Sequence, residues 1–290
     1  MKFGISTRAL WDLLHEWGFN KTMEFVARCG YDFVEIWAEY PWMLQVYPIK
    51  FWERWKEKLK SLGLDITVHA TKWDLNFASL NPMVRRYSLR CIKSSIKLAK
   101  ILNARVVVIH PGRKVTPSQS KEDVWRLMVD GLDEILRFAK ILDVEITVEN
   151  MEPKYPRETE LVVTRDDVKK LLENDGFHKK GLKLTLDIAH VNLQRDGSSS
   201  IEEIARFVKE CKDYLGHVHI SNNYGPKGAR PHLPLYEGNI DIARVLSLLK
   251  EIGYNGYVTV EGYLPGAENS KESAEGNIEY LREILKSENL

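Results

Sequence analysis

Three apolar runs in this 290-residue chain each carry a carboxylate near their end: Glu149 in "ITVEN", Asp187 in "LTLDI" and Glu261 in "VTVEG". An unpaired charge inside an apolar segment is costly to bury, so these acids need compensation. Three further runs place a histidine in the corresponding position: His69 in "ITVHA", His110 in "VVVIH" and His219 in "HVHIS". Imidazoles and carboxylates gathered at one place form the donor set of a divalent cation, which in return neutralises the acids. With no cysteine among the donors, the set suits Zn²⁺, Mn²⁺, Co²⁺ or Fe²⁺ and does not choose among them.

Other groups lie close by in sequence. Asp187 and His190 form a D-x-x-H unit in "DIAH" as the chain leaves its run. His217 stands two residues before His219, so on a strand it shares a face and reads as support or packing. Glu35 in "FVEIW" reads equally as a buried network member or a pocket residue. His15 and His178 fall in helix or loop contexts and carry no expectation. The loop "GARPHLPLYEGNID" sets Arg230 two residues before His232.

These groups need a scaffold that aligns the ends of six runs. Strand-like stretches rich in Val, Ile, Thr and Phe fall at 2–7, 32–37, 64–70, 104–110, 144–150, 182–188, 216–221 and 256–262. Amphipathic segments alternate with them, at 82–102, 120–142, 164–174, 200–215 and 241–253 among others. Asn81 before Pro82 and Ser120 before acids are helix starts, and Gly253 is a helix stop. Eight strand–helix repeats without a linker predict an α/β chain: one (β/α)8 TIM barrel domain spanning 1–290, in preference to an open doubly wound sheet. Active sites in such barrels sit at the C-terminal strand ends, where the six ionisable groups fall.

The bulk composition is compatible with that reading. With 44% hydrophobic and 29% charged residues the chain has enough apolar material for a large core and no low-complexity segment. A net charge of +1 disfavours a nucleic-acid partner without excluding a local basic patch. Cys29, Cys91 and Cys211 are far apart and read as buried thiols in a reducing compartment. No stretch approaches the roughly 20 apolar residues of a membrane span, and "MKFGISTRAL" has no signal-peptide core. The expectation is a cytoplasmic protein without membrane contact; pairing into a homo-oligomer is compatible with it, but no sequence feature marks an interface.

The segments "GYDFVEIW", "VHATKWDLNFAS", "VVVIHPG", "TVENM", "TLDIAH", "HVHISNN", "HLPLYEGNID" and "VTVEG" resemble the xylose isomerase-like TIM-barrel superfamily over nearly the whole chain. That group holds sugar and sugar-phosphate isomerases and epimerases together with endonuclease IV-type apurinic-site nucleases. In its epimerase branch a Glu, Asp, His, Glu quartet holds one metal and the two glutamates are the acid/base pair. The resemblance therefore implies Glu149, Asp187, His219 and Glu261 as ligands, with Glu149 and Glu261 catalytic. In the nuclease branch a second metal is held by His69, His110 and the bridging Glu149, and a third by the D-x-x-H histidine with a D-x-H pair. Here Arg230 stands in place of that aspartate; a guanidinium offers no lone pair, so the third site is expected to be absent or rebuilt. "ENMEP" and Asn222 in "HISNN" also depart from familiar patterns: the first from the nuclease, the second from sugar-acting relatives that carry aspartate.

The expected function is a divalent-metal-dependent (Mn, Zn or Co; one or two ions) isomerase or epimerase of a small-molecule sugar or sugar phosphate. It would work by proton transfer through a metal-stabilised enediolate. Substrate contacts are expected from His190, Arg230, His232, Trp37 and Trp73, with Arg113 and Lys114 placed to take a phosphate. Trp42, Tyr155, Tyr224 and Tyr236 are further aromatic candidates. The alternative is a zinc-dependent apurinic-site DNA nuclease, with Arg8, Lys72, Arg113, Lys114 and Lys227 on phosphates. A third reading is a metal- and sugar-binding protein without catalysis.

Overall fold

In a computed structural model, which describes residues 1–153, 159–194, 200–226 and 230–288, the chain folds into a closed parallel barrel. Its strands are β1 (Lys2–Ser6), β2 (Phe33–Trp37), β3 (Asp65–His69), β4 (Val106–Ile109), β5 (Glu145–Glu149), β6 (Lys183–Asp187), β7 (Leu215–Ile220) and β8 (Tyr257–Val260). Each pairs with its sequence neighbours, and β8 closes on β1 through Lys2↔Tyr257 to Ile5↔Val260. Helices α1 (Trp11–Cys29), α2 (Ile49–Ser61), α3 (Pro82–Leu102), α4 (Lys121–Leu142), α5 (Arg165–Lys169), α6 (Ile188–Asn192), α7 (Ser200–Glu210), α8 (Ile242–Glu251) and α9 (Ala267–Ser287) connect and surround them. Seven strands lie within the expected runs, shorter by one or two residues at most ends; β7 instead begins at Leu215, one residue before its expected start. None of the helices among the described residues is long and apolar enough to cross a membrane. Tyr155 and Lys227, named above, lie outside the described residues.

Helix boundaries follow local chemistry. The Asn81 side chain accepts the Met83 N–H and Pro82 opens α3, which ends at Asn103 in the left-handed region. Ser120 accepts the Asp123 N–H to start α4, and Thr164 with Asp167 forms a capping box on α5. Gly18, at φ 72°, breaks the regularity of α1. The three cysteines are free thiols; Cys91 and Cys211 are buried and Cys29 is half-buried.

The barrel interior is layered because alternate strand residues point inward. At the N-terminal end, Lys2 pairs with Asp65 and Lys183 with Glu145, each at 2.6 Å. The middle layer holds Glu35, Thr67, Thr147, Thr185, His217 and Thr259, all fully buried. Two residues further along each chain path comes the C-terminal rim, where Trp37, His69, His110, Glu149, Asp187, His219 and Glu261 lie, with Arg8 in the turn two residues after the end of β1.

The loop from β7 to α8 is tied down by Asn222. Its Nδ2 donates to the carbonyls of Leu235 (2.9 Å) and Ile240 (3.2 Å), while its Oδ1 accepts the N–H groups of Asn223 and Ile240. Backbone bonds with Leu233 complete the clamp. The departure from aspartate at this position thus has a structural reason: a carboxylate cannot donate to two carbonyls. Asn222→Asp should cost about 1–3 kcal/mol of stability, read as a lower denaturant midpoint with an unchanged slope.

Candidate metal centre

Among the described residues, four sets of donor atoms converge at or just below the rim. In each, one ligand atom per residue lies within 4.8 Å of the others: Glu149–Asp187–His219–Glu261, His69–His110–Glu149, Asp187–His190–His232, and Glu35–His217–His219. The first three share Glu149 or Asp187 and form one continuous cluster. All six strand-end groups expected from the sequence are in it, and so are His190 and His232.

The local fold aims each donor. Asp187 is the N-cap of α6: its Oδ1 accepts the His190 N–H at 2.9 Å, which explains the D-x-x-H spacing and leaves Oδ2 for the centre. Asn150 pins the same turn, accepting from the Asp187 N–H (2.8 Å) and donating to its carbonyl (3.1 Å). The carbonyl of Asn150 takes a hydrogen bond from His190 Nδ1 at 2.8 Å, and that of Ala70 takes one from His69 Nδ1 at 2.9 Å. Both rings therefore keep an Nε2 lone pair for the site, an arrangement found around metal-ligating histidines. His232 Nδ1 lies 3.0 Å from the Ser221 hydroxyl.

Glu35 resolves into the support of the centre. It is fully buried one layer below, with Oε2 accepting from Thr67 (3.1 Å) and 3.0 Å from His217 Nε2. Its Oε1 is 3.2 Å from His219 Nε2, off the line of a good hydrogen bond. His219 Nδ1 is thereby turned toward Glu149 and Glu261, 3.6 Å from an oxygen of each. His217 belongs to this network, not to the rim.

The donors fit a cation. Glu149 Oε2 lies 3.0 Å from His110 Nε2 and 3.4 Å from His69 Nε2, yet it accepts no hydrogen bond. Asp187 Oδ2, Glu261 Oε1 and His219 Nδ1 are likewise buried without a hydrogen-bond partner among the described residues. Such orphaned atoms are rare and expensive unless something else satisfies them, and these point to common centres rather than at one another.

The electrostatics follow from that crowding. Burial pushes Asp187 up to about 7, with Glu149 and Glu261 adding to the effect. Burial also works against the Glu149 charge, but His110 and His219 hold its carboxyl well below the usual range. His219 is held well above the ordinary imidazole value despite burial, by Glu261, Glu35 and Glu149. Burial and the Lys72 cation keep His110 well below it, and burial with His190 and Lys72 does the same to His232.

Above the donors is a chamber of about 170 Å³ bounded by Trp37, Trp73, Tyr263, Arg8 and Lys72. A second cleft of about 250 Å³ adjoins it through Lys72, Trp73, His110 and His232, and reaches Asn76 and Arg113. Arg230 is exposed and lines neither; Pro231 and His232 face the chamber instead. Its charge therefore does not keep Asp187, His190 and His232 apart. Lys114 donates to the Pro117 carbonyl and lies in an outer groove with Arg113. Trp42 packs on Trp55 away from the chamber, and Tyr224 and Tyr236 are exposed and line neither space. Sequence reasoning did not single out Tyr263, Asn150 or Glu39. Glu39 is buried and accepts the N–H groups of Lys72 (2.6 Å) and Trp73 (2.9 Å), fixing the loop after β3.

A closed eight-stranded barrel with histidines and carboxylates at its C-terminal rim and a chamber above them defines a metal-capable (β/α)8 protein. The chain belongs to the xylose isomerase-like TIM barrel family, whose model matches residues 23–284. It is 31% identical to an uncharacterized protein of Methanocaldococcus jannaschii over 98% of this chain and 91% of that one. It is 25% identical to the L-ribulose 3-epimerase of a Methylomonas species, over 85% of this chain and 79% of the relative. Among solved structures, a D-tagatose 3-epimerase-like protein superposes with a TM-score of 0.78 at 28% identity, covering 99% of both chains.

Two outcomes are expected. Proton and cation compete for Asp187 and His219, so the affinity of chelator-stripped protein for Mn²⁺ or Co²⁺ should weaken as pH falls through about 7. The expected slope is roughly tenfold per pH unit for each proton displaced, with proton release visible by calorimetry in buffers of different ionisation enthalpy. Glu35→Gln removes the charge behind His219 and should weaken cation binding roughly 10–100-fold; unchanged affinity would mean that Glu35 only fills the barrel.

Proposed function

We propose that the protein is a divalent-metal-dependent isomerase or epimerase of a small sugar or sugar phosphate. The observation that carries this reading is the pair of carboxylates on different strands, Glu149 and Glu261, each with a buried oxygen free of hydrogen bonds beside the same small chamber. Glu149, Asp187, His219 and Glu261 would hold the cation. When bound, it supplies a Lewis acid that makes the carbon next to a sugar carbonyl acidic. One glutamate would take that proton and the other return it from the opposite side. His190 and His232 would orient hydroxyl groups, and Trp37, Trp73 and Tyr263 would exclude water and pack on the sugar's C–H face. The likeness to proteins named as 3-epimerases supports the same class of reaction.

A second reading has one observation in its favour. The His69–His110–Glu149 group assembles, as the resemblance to apurinic-site nucleases implies, and His190 and His232 meet Asp187 although Arg230 stands in place of the aspartate of their third site. Three zincs per chain, with nicking of an abasic duplex lost in Glu149→Gln, would establish that reading in place of the first.

The protein with Mn²⁺ or Co²⁺ should wash solvent deuterium into a ketose or ketose phosphate. Glu149→Gln and Glu261→Gln should each slow that exchange by roughly 10²-fold or more. A ligand that binds without any exchange would mark a binding protein and end the enzymatic reading.

A further inference from the structure

The rim carries two cations that the metal chemistry does not use. Arg8 lies in the turn after β1, and Lys72 follows β3; both line the chamber that holds Glu149 and Glu261. They share the wall formed by Trp37. The Arg8 guanidinium carbon is 5.6 Å from the Trp37 ring centroid, 5.8 Å from that of Trp73 and 4.9 Å from that of Tyr263, while Lys72 Nζ is 5.1 Å from that of Trp37. Three aromatic rings hold Arg8 in place, and Glu39 holds the backbone of Lys72. Both residues are half-buried, unlike a solvated surface lysine.

Among the described residues neither cation has a carboxylate within ion-pair distance, whereas Lys2 and Lys183 at the opposite end of the barrel are both paired. Ring faces attract a cation but do not accept its hydrogen bonds in the way an anion does. Nor can either residue serve a metal, since both would repel it. Lys72 lines the chamber and the adjoining cleft together with His110 and His232, so its charge lies beside the donor cluster. A planar guanidinium fork and an ammonium, both within 6 Å of one indole and both lining one chamber, form a receptor for an oxyanion.

We propose that Arg8 and Lys72 are an anion-binding subsite of the chamber, and that the substrate is a sugar bearing a negatively charged group, a phosphate or a carboxylate. This rests on the reading of the protein as a sugar isomerase or epimerase for the sugar part only; the anion subsite is tested without any sugar. Neutral ketoses would then be poor substrates because they leave both cations unpaired.

Inorganic phosphate and acetate are titrated separately into protein of matched metal content, with Trp37 and Trp73 fluorescence as the signal. At least one anion should bind saturably. Arg8→Met and Lys72→Met, which keep the apolar stems, should each raise its Kd at least tenfold, and Arg8→Lys should recover part of the loss. Metal content and Tm should not change. No saturable binding, or equal affinity in the Met variants, overturns the subsite. Deuterium exchange is then compared for a neutral ketose, its phosphate and a keto sugar acid. Faster exchange with one charged form, lost in the Met variants, identifies the group. Equal exchange with the neutral sugar, unaffected by the variants, overturns the substrate class and leaves the isomerase reading standing. Anion binding with no exchange on any sugar keeps the subsite and removes that reading.

Discussion

Closure of eight parallel strands into a barrel is the constraint on which the remaining structure depends. Once closed, every strand must send alternate residues inward, and the shared register stacks them into layers. Glu35, Thr67 and Thr259 meet in the middle layer because they come from neighbouring or facing strands at one height. His69, Glu149 and His219 meet two residues higher for the same reason. No helix contact or loop could bring six ionisable groups from six strands so close; the sheet does so through backbone hydrogen bonds that are indifferent to the side chains.

That indifference allows the barrel to tolerate an otherwise unfavourable core. Glu35, Glu149, Asp187 and Glu261 are all buried, and isolated charges there would be strongly destabilising. The layers divide the problem. Glu35 is met from its own layer by Thr67 and His217 and from above by His219. Glu149 is met by imidazoles on two sides. Asp187 is left least compensated and responds by rising to about 7. A frame that gains most of its stability from a large aliphatic core can carry this local cost, as functional sites commonly require.

The legible part of the site is the part set by strand periodicity. A carboxylate or histidine at the end of a Val- and Ile-rich run is visible in one dimension, so the pattern alone places Glu149, Asp187, Glu261, His69, His110 and His219 at one rim. Glu35 is visible but ambiguous, because a strand pattern gives the face of a residue and not its partner across the barrel; the 182 positions separating it from His217 carry no local signal. Asn150, Asn222 and Glu39 act through loop carbonyls and N–H groups whose approach depends on the finished fold. Arg230 misleads for a related reason: correspondence with a ligand position says nothing about where a longer, charged side chain turns, and it turns to solvent. Tyr263, one residue past the glycine of "VTVEG", has no strand phase left to mark it.

The sharing of ligands between donor groups ties cation number to chemistry. Glu149 belongs to the quartet and to the His69–His110 group; Asp187 belongs to the quartet and to the His190–His232 group. Each carboxylate has two oxygens, and Asp187 has already committed one to the cap of α6. A cation in the His190–His232 group would therefore compete with the quartet for Asp187 Oδ2, whereas Glu149 can offer one oxygen to each side. The quartet thus has more free carboxylate oxygen to share with the His69–His110 group than with the His190–His232 group. His190 and His232 both line the chamber, where imidazoles not engaged by a cation could hydrogen-bond a polyol. Proton transfer on a sugar needs such free donors and acceptors; cleavage by a full metal cluster would consume them. The double commitment of one aspartate, made by a helix cap three residues before His190, thus limits how many cations the donor groups can share.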